Sequence, residues 1–262
     1  MADPKIAWDG GEAYERWVGR WSRLVARRFL DWLQVPAGRS WLDVGCGTGE
    51  LTRAIVETQS PSRVVGVDPS KPFIAAAREN VCDERAEFDV GDAMSLSYAA
   101  KEFDAVVACL VLNHVPDSAN AMTEMARVAE TGGIIGAFVW DYEEGMQMMR
   151  RFWNAAVALD PGAGLFDQRY PLCHPDALIK LVGGAGLRGV EARAIDVPTV
   201  FRDFADYWTP FLGGQGVAPG YLASLSEDRR VALREKVRAE LPVERDGSIH
   251  LYARAWGVRG TT

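Results

Sequence analysis

Along residues 36–140, short runs of β-branched and aromatic residues alternate with longer stretches whose apolar positions recur at helical spacing. The runs Ser40–Val44, Arg63–Val67, Ala86–Val90, Phe103–Ala108 and Gly133–Trp140 read as strands. The segments between them carry start and stop signals. Ser70 caps a helix running to Asn80, and Asp117 or Ser118 caps one that ends before Gly132-Gly133. This alternation predicts parallel strands joined by right-handed crossovers, with helices on both faces of one sheet.

Glu12–Leu33 precedes these units with a long helical pattern, Tyr14, Trp17, Trp21, Val25 and Arg28 falling along one side. Beyond them the pattern weakens. Asp141–Cys173 has little periodicity, Pro175–Val182 reads as a helix stopped by Gly183, and Leu187–Val197 reads as a strand. Arg202–Leu241 is helix and loop, with a charge-mixed helix near Glu227–Ala239, and Ser248–Val258 alternates like a final strand. With the last two strands as sheet neighbours, Arg202–Leu241 is an insertion placed like a lid. The chain reads as one domain over 1–262, its core about 36–140, 174–200 and 247–260, with cover segments at 1–35, 141–173 and 201–246.

Composition sets limits on the function. The 262 residues are 48% hydrophobic and 25% charged, ordinary values for a globular chain with a real core. A formal charge of −7 without a dense Lys/Arg run argues against nucleic acid as a partner. The first residues carry acids and no apolar segment, so no signal peptide is expected. Apolar stretches reach about nine residues, far below the roughly 20 that span a bilayer, so no membrane insertion is expected. Cys46, Cys82, Cys109 and Cys173 form no C-x-x-C pair, which suits free thiols in the cytoplasm. His114, His174 and His250 lack zinc spacing, and no metal is expected. A homodimer is left open.

The chemistry concentrates in Asp43-Val44-Gly45-Cys46-Gly47-Thr48-Gly49, between the first strand and the next helix. Glycines there let backbone approach a ligand with no Cβ in the way. The helix that follows offers free N–H groups and the positive end of its dipole. A plain tight turn also explains a glycine triplet, but the spacing adds to it. Asp68 ends the second strand about 20 residues on, where an acid accepts both ribose hydroxyls. Asp92, in Val90-Gly91-Asp92-Ala93, ends the third strand, where an acid can accept from an adenine amine. A cap or turn role is the alternative for each acid. Together they fall at the carboxyl ends of successive strands, where such sheets bind ligands.

The set Leu42-Asp43-Val44-Gly45-Cys46-Gly47-Thr48-Gly49, Val67-Asp68-Pro69-Ser70, Gly91-Asp92-Ala93 and Phe103-Asp104-Ala105-Val106-Val107 resembles the class I S-adenosylmethionine-dependent methyltransferases. Within them it is similar to the small-molecule group that includes the ubiquinone/menaquinone biosynthesis enzymes, closely from about Trp41 to Trp140. The resemblance implies an α/β, Rossmann-like, doubly wound seven-stranded sheet whose last strand, supplied by Ser248–Val258, is antiparallel. A helical N-terminal cover and a helical lid insertion accompany it. S-adenosylmethionine is the implied cofactor. Asp43, Gly45, Cys46, Gly47 and Gly49 would hold its methionine moiety, Asp68 with Pro69 its ribose, Asp92 with Ala93 its adenine edge, and Leu110 would lie along it. In the resembling enzymes the helix ahead of the first strand covers the cofactor. Trp21 and Trp17 would then close over the sulfonium, with Tyr14 and Trp17 toward the acceptor; simple packing is the other reading of this aromatic stripe. Asp141 and Tyr142 after the fifth strand, and Trp208 in the insertion, are further acceptor-side candidates.

A nicotinamide dehydrogenase is the rival for the loop, but it favours G-x-G-x-x-G, whereas Glu50 and Leu51 stand here where the third glycine is due. Asp43 would also repel two pyrophosphate charges while suiting a cationic sulfonium. Methyl transfer is an in-line displacement needing alignment, and a base only where the acceptor loses a proton. His114, in Leu110-Val111-Leu112-Asn113-His114-Val115-Pro116-Asp117, is the candidate base; a loop-orienting role is the weightier alternative, and Asn113 shares the ambiguity. The expected function is methyl transfer to an O, N or C atom of a small-molecule acceptor. The alternative is a non-catalytic S-adenosylmethionine-binding sensor or assembly factor. No Asn/Asp-Pro-Pro-Tyr-type tetrapeptide follows the fourth strand, which further disfavours a nucleic-acid substrate.

Overall fold

Seven strands form one sheet in the order β3-β2-β1-β4-β5-β7-β6. They are β1 (Ser40–Val44), β2 (Arg63–Asp68), β3 (Ala86–Val90), β4 (Phe103–Cys109), β5 (Ala129–Trp140), β6 (Arg188–Phe201) and β7 (Ile249–Thr261). The computed structural model describes residues 19–167, 170–213 and 216–262. Strands β1 to β5 pair in parallel, and β7 runs antiparallel to β5, from Ile134↔Thr261 to Trp140↔Ala255. The expected doubly wound, Rossmann-like sheet with an antiparallel last strand is the one found.

The helices are α1 (Arg20–Leu33), α2 (Glu50–Thr58), α3 (Lys71–Asn80), α4 (Ser118–Val128), α5 (Gln147–Leu159), α6 (Pro175–Gly184), α7 (Phe204–Trp208), α8 (Val217–Ser224) and α9 (Glu227–Glu240). Ser70 and Asp117 cap α3 and α4 by accepting from the N–H groups of Phe73 and Asn120. His174 stands at the cap position of α6 but makes no side-chain cap bond; Pro175 opens that helix instead.

β7 runs on to Thr261, past the expected Val258, and the helix at Pro175 runs on to Gly184 past the expected Val182, while two strand boundaries shift by four residues. β5 begins at Ala129, not Gly133, because Ala129 pairs with Phe103 before a register shift leads to Ala105↔Ile134. Such an irregularity breaks the alternation by which a strand is recognised. β6 continues past Val197 to Phe201, since Thr199 and Phe201 keep the same buried face as Ile195 and Val197. Pro198 is tolerated on an exposed position because β6 is an edge strand.

Two compact units make up the chain. The first contains Arg23–Trp140, Pro171–Ile195 and Ala255–Thr262. In it, successive β5 residues face opposite ways, as a strand requires. Ile135, Ala137 and Val139 join Met122 and Met125 of α4 and Leu178 and Val182 of α6 in one core. Phe138 turns to the other face and meets Phe29 of α1 edge-on at 5.1 Å. The second unit takes in Asp141–Tyr170, Asp196–Arg254 and the start of α1. Its centre is aromatic: Phe152 stacks on Phe211 at 4.5 Å and meets Trp153, Trp208 and Tyr221. The buried Tyr207 hydroxyl donates to the Met148 carbonyl at 2.7 Å.

Candidate functional site

Three loops of the first unit follow the carboxyl ends of β1, β2 and β4. The β1 loop turns through positive φ at Gly45, Gly47 and Gly49, and Gly49 caps α2 in the left-handed conformation. Its backbone hangs on β2, the N–H groups of Gly45 and Cys46 both donating to the Val67 carbonyl at 2.7 and 3.1 Å. The Gly47 N–H donates to Asp68 Oδ2 at 3.1 Å. Asp68 Oδ1 accepts from the Ser70 N–H at 2.8 Å, so one carboxylate knits the loop to the β2 turn. Pro69 lies exposed in that turn.

Asp43 and Asp68 are both buried. The Thr52 hydroxyl of α2 donates to Asp43 Oδ2 at 2.7 Å. Burial nevertheless pushes the Asp43 carboxyl up to about 7, and nearby Asp68 adds to the rise against the Thr52 hydrogen bonds. Burial raises Asp68 as well, opposed by the Ser70 and Gly47 N–H groups. Among the described residues, neither acid pairs with a cationic side chain. A Cβ on Gly47 would meet no heavy atom within 4 Å, so the loop backbone faces open space there. Two buried acids wanting positive charge, beside bare backbone, fit a ligand carrying an ammonium and a sulfonium.

The remaining candidates of this unit fall around the same strand ends. Cys46 turns its side chain into a small core with Ile74, Ala77, Val81 and Phe88, leaving its backbone for the loop. Asp92, exposed after β3, spends Oδ1 on the Met94 N–H at 2.9 Å, while Ala93 packs against the main core. Leu110 holds a φ of 63°, rare for a side chain of its kind, and its N–H donates to Phe138 O at 2.8 Å. His114 is solvent-accessible, yet the protein around it holds its pKa below the ordinary imidazole value.

Residues 42–137 match the methyltransferase domain family. The methyltransferase GfsG of Streptomyces halstedii is 32% identical over 204 residues, covering 74% of this chain and 70% of that one. The chain belongs to the class I S-adenosylmethionine-dependent methyltransferases. The 2-methyl-6-phytyl-1,4-hydroquinone methyltransferase of Synechocystis sp. is 34% identical over 124 residues, 47% of this chain and 39% of that relative. In fold, the chain is similar to the phosphoethanolamine N-methyltransferase 2 of Haemonchus contortus solved with S-adenosyl-L-methionine. That likeness has a TM-score of 0.56 and 18% identity, over 95% of this chain and 56% of that one.

In this methyltransferase, Trp21, Asp141, Tyr142 and Trp208 belong to the second unit. Arg20 lies 4.3 Å from the Trp21 ring centroid, a cation–π contact, and Phe201 meets that ring edge-on at 5.5 Å. Asp141 accepts from the Glu143 and Glu144 N–H groups through Oδ1, at 3.2 and 3.0 Å, as a turn residue does. Tyr142 contacts Tyr170 at 5.4 Å, and Trp208 packs against Phe204, Phe152 and Phe211. Tyr14 and Trp17 lie outside the described residues.

Two site residues escaped the sequence reading. Thr52 gives only a weak signal, a hydroxyl at a buried position of an amphipathic helix. Val111 gives none, because its contact with Gly45 arises where the β4 loop folds back on the β1 loop.

Proposed function

We propose that the chain holds S-adenosylmethionine at the carboxyl ends of β1 and β2 and methylates an O, N or C atom of a small molecule. The pair Asp43 and Asp68 carries this reading: two buried carboxylates at adjacent strand ends, of which Asp43 would face the charged methionine end and Asp68 would accept from the ribose hydroxyls. Asp43 and the backbone of Gly45, Cys46, Gly47 and Gly49 would hold the methionine end. Asp68 with Pro69 would take the ribose, Asp92 with Ala93 the adenine edge, and Leu110 would flank the cofactor. Once bound, this cofactor supplies a methyl group already activated on sulfur. The residues' work is then alignment and the exclusion of water.

His114 is the group we assign to proton removal where the acceptor must lose one. Its pKa is lowered because the surrounding protein partly desolvates the ring although His114 is exposed overall, which favours the neutral form that a base needs. Trp21, Trp17, Tyr14, Asp141, Tyr142 and Trp208 are proposed for the cofactor and acceptor sides on the family resemblance alone. Both units are read as parts of one methyltransferase domain. No helix among the described residues is long and apolar enough to cross a membrane. A cytoplasmic setting accords with four cysteines that form no disulfide. Homodimer formation, which the sequence leaves open, is read by sedimentation velocity.

Calorimetric titration with S-adenosylmethionine, followed by methyl-transfer assays on a metabolite panel, tests the reading. Binding with turnover of a small metabolite is expected. Tight binding with no turnover would favour the sensor alternative, and no binding removes both.

A further inference from the structure

Between β3 and β4 the chain runs from Gly91 to Glu102 outside any strand or helix, so its backbone polar groups must find partners away from a ladder. Four of them, between Met94 and Tyr98, are met by three side chains of α4. Asn120 Nδ2 donates to the Met94 carbonyl at 3.0 Å, and Glu124 Oε2 accepts from the Leu96 N–H at 2.9 Å. Arg127 completes the set, its Nη2 and Nη1 donating to the Leu96 and Tyr98 carbonyls, both at 2.8 Å.

Helical spacing puts residues 120, 124 and 127 on one side of α4, while Ala121, Met122, Met125 and Val128 are buried in the core. Glu124 and Arg127 also grip each other, Nε to Oε1 at 2.7 Å and Nη2 to Oε2 at 2.8 Å. This two-point pairing fixes the guanidinium plane, so its remaining N–H groups point in set directions. The guanidinium in turn holds the Glu124 carboxyl below its ordinary pKa, which keeps the pair charged. The held segment is seated as well as bonded: Leu96 is buried, and the Tyr98 ring meets Phe103 edge-on at 5.3 Å.

The clamp reaches Asp92 through Met94, which is held on both sides. Its N–H donates to Asp92 Oδ1 at 2.9 Å and its carbonyl accepts from Asn120, while the Ser95 N–H closes the turn on Asp92 O at 3.0 Å. The direction of the carboxylate therefore follows Met94, and that of Met94 follows α4. Asp92 is exposed, and its Oδ2 meets no hydrogen-bond donor among the described residues, so this oxygen is open to a ligand. We propose that Asn120, Glu124 and Arg127 are positioning residues that set base selectivity, holding the Asp92 turn so that Oδ2 accepts from an adenine amine. The inference rests on the reading that places Asp92 at the adenine edge and adds what fixes its aim. Hydrogen bonds weaken steeply as their angle falls, so an exposed carboxylate on a loose turn would discriminate little between an amine and an oxygen.

S-adenosylhomocysteine and S-inosylhomocysteine, which carries a carbonyl oxygen in place of the purine amine, are the probes, each titrated by calorimetry. Wild type is expected to prefer the adenine ligand by about tenfold or more, as one hydrogen bond to a charged acceptor gives. Asn120→Ala, at an exposed position, should cut the preference to about threefold, and Arg127→Met should erase it. Arg127→Lys, which can still reach one carbonyl, should keep part of it. Should Arg127→Met not fold, Asn120→Ala carries the test. A clamp that only stabilises the fold would lower the unfolding midpoint and leave the ratio of the two affinities unchanged. An unchanged ratio in the folded variants therefore overturns the proposal alone. Asp92→Ala separates the levels: a preference that survives it, or none in wild type, removes the adenine role of Asp92 and the proposal with it. No binding of S-adenosylhomocysteine to wild type overturns the cofactor reading as well.

Discussion

Gly45 and Val111 are in such close contact that no side chain fits between them, a methyl at Gly45 falling 2.3 Å from Val111 Cγ2. Gly45 also holds a φ of 73°. Gly45→Ala therefore meets two penalties, overpacking at about 1–3 kcal/mol and left-handed strain at about 1–2 kcal/mol. Thermal unfolding should show the loss, and adding Val111→Ala should recover the packing part only. A single variant as stable as wild type would contradict the contact.

Gly47 makes the opposite case. A methyl there meets no heavy atom within 4 Å, so only its φ of 54° opposes the change, at about 1–2 kcal/mol. Gly47→Ala should fold while losing S-adenosylmethionine affinity by about tenfold or more, because the methyl stands where the ligand approaches. Titration calorimetry on the folded variant decides this.

Asp43 should couple ligand binding to pH. Its pKa rises from 3.8 in the unfolded chain to about 7 in the fold, so the folded state holds the extra proton between those values. Its contribution to the stability of the ligand-free protein is fully present below 3.8 and is lost as pH rises toward about 7. The slope is at most about 1.4 kcal/mol per pH unit. Asn at this position removes that slope, visible as a wild-type-minus-variant difference in denaturant midpoints across the window. Near pH 6, binding of the cationic cofactor should release a proton from wild type and not from Asp43→Asn. Calorimetry in buffers of different ionisation enthalpy measures it, and identical proton counts would sink the coupling.

Asp68→Ala should weaken S-adenosylmethionine through loss of a charged acceptor for the ribose, at about 1.5–3 kcal/mol per bond. It also frees the Gly47 N–H, so a crystal structure of the variant should show the β1 loop displaced. Unchanged affinity in a folded variant would remove the ribose role.

For His114, the expected signature is an acid limb in the pH profile of kcat/KM lying below 6.5, since partial desolvation by the surrounding protein lowers the pKa of the ring. His114→Ala should abolish the limb. A flat profile in wild type shows that no base is used.

Much of this was visible in the chain itself, for identifiable reasons. β1, β2 and β4 are largely buried on both faces, so they stand out as mainly apolar runs, interrupted by Asp43 in β1 and Asp104 in β4. The loop glycines and Asp68 lie in fixed register because a strand and its following turn place them there, whatever the rest of the fold does. The start of β5 was hidden by Glu130, Thr131 and the glycine pair, which carry no strand periodicity. The end of β6 was hidden by a polar residue, Thr199, on its core face. Thr52 and Val111 became site residues only through contacts between elements, and no local pattern records such contacts. Asp92 fits both sequence readings at once, since its turn bond to Met94 uses one oxygen and leaves the other available.

The placement of β7 has a consequence for how the chain assembles. It lies between β5 and β6 although it follows both in sequence, so β6 has no sheet partner until β7 arrives. Until then β5 ends the growing sheet with its outer hydrogen-bonding groups open, the condition in which nascent chains pair with one another. During synthesis the ligand-binding strands can form early, while closure of the sheet waits for the last strand to thread between two that are already made.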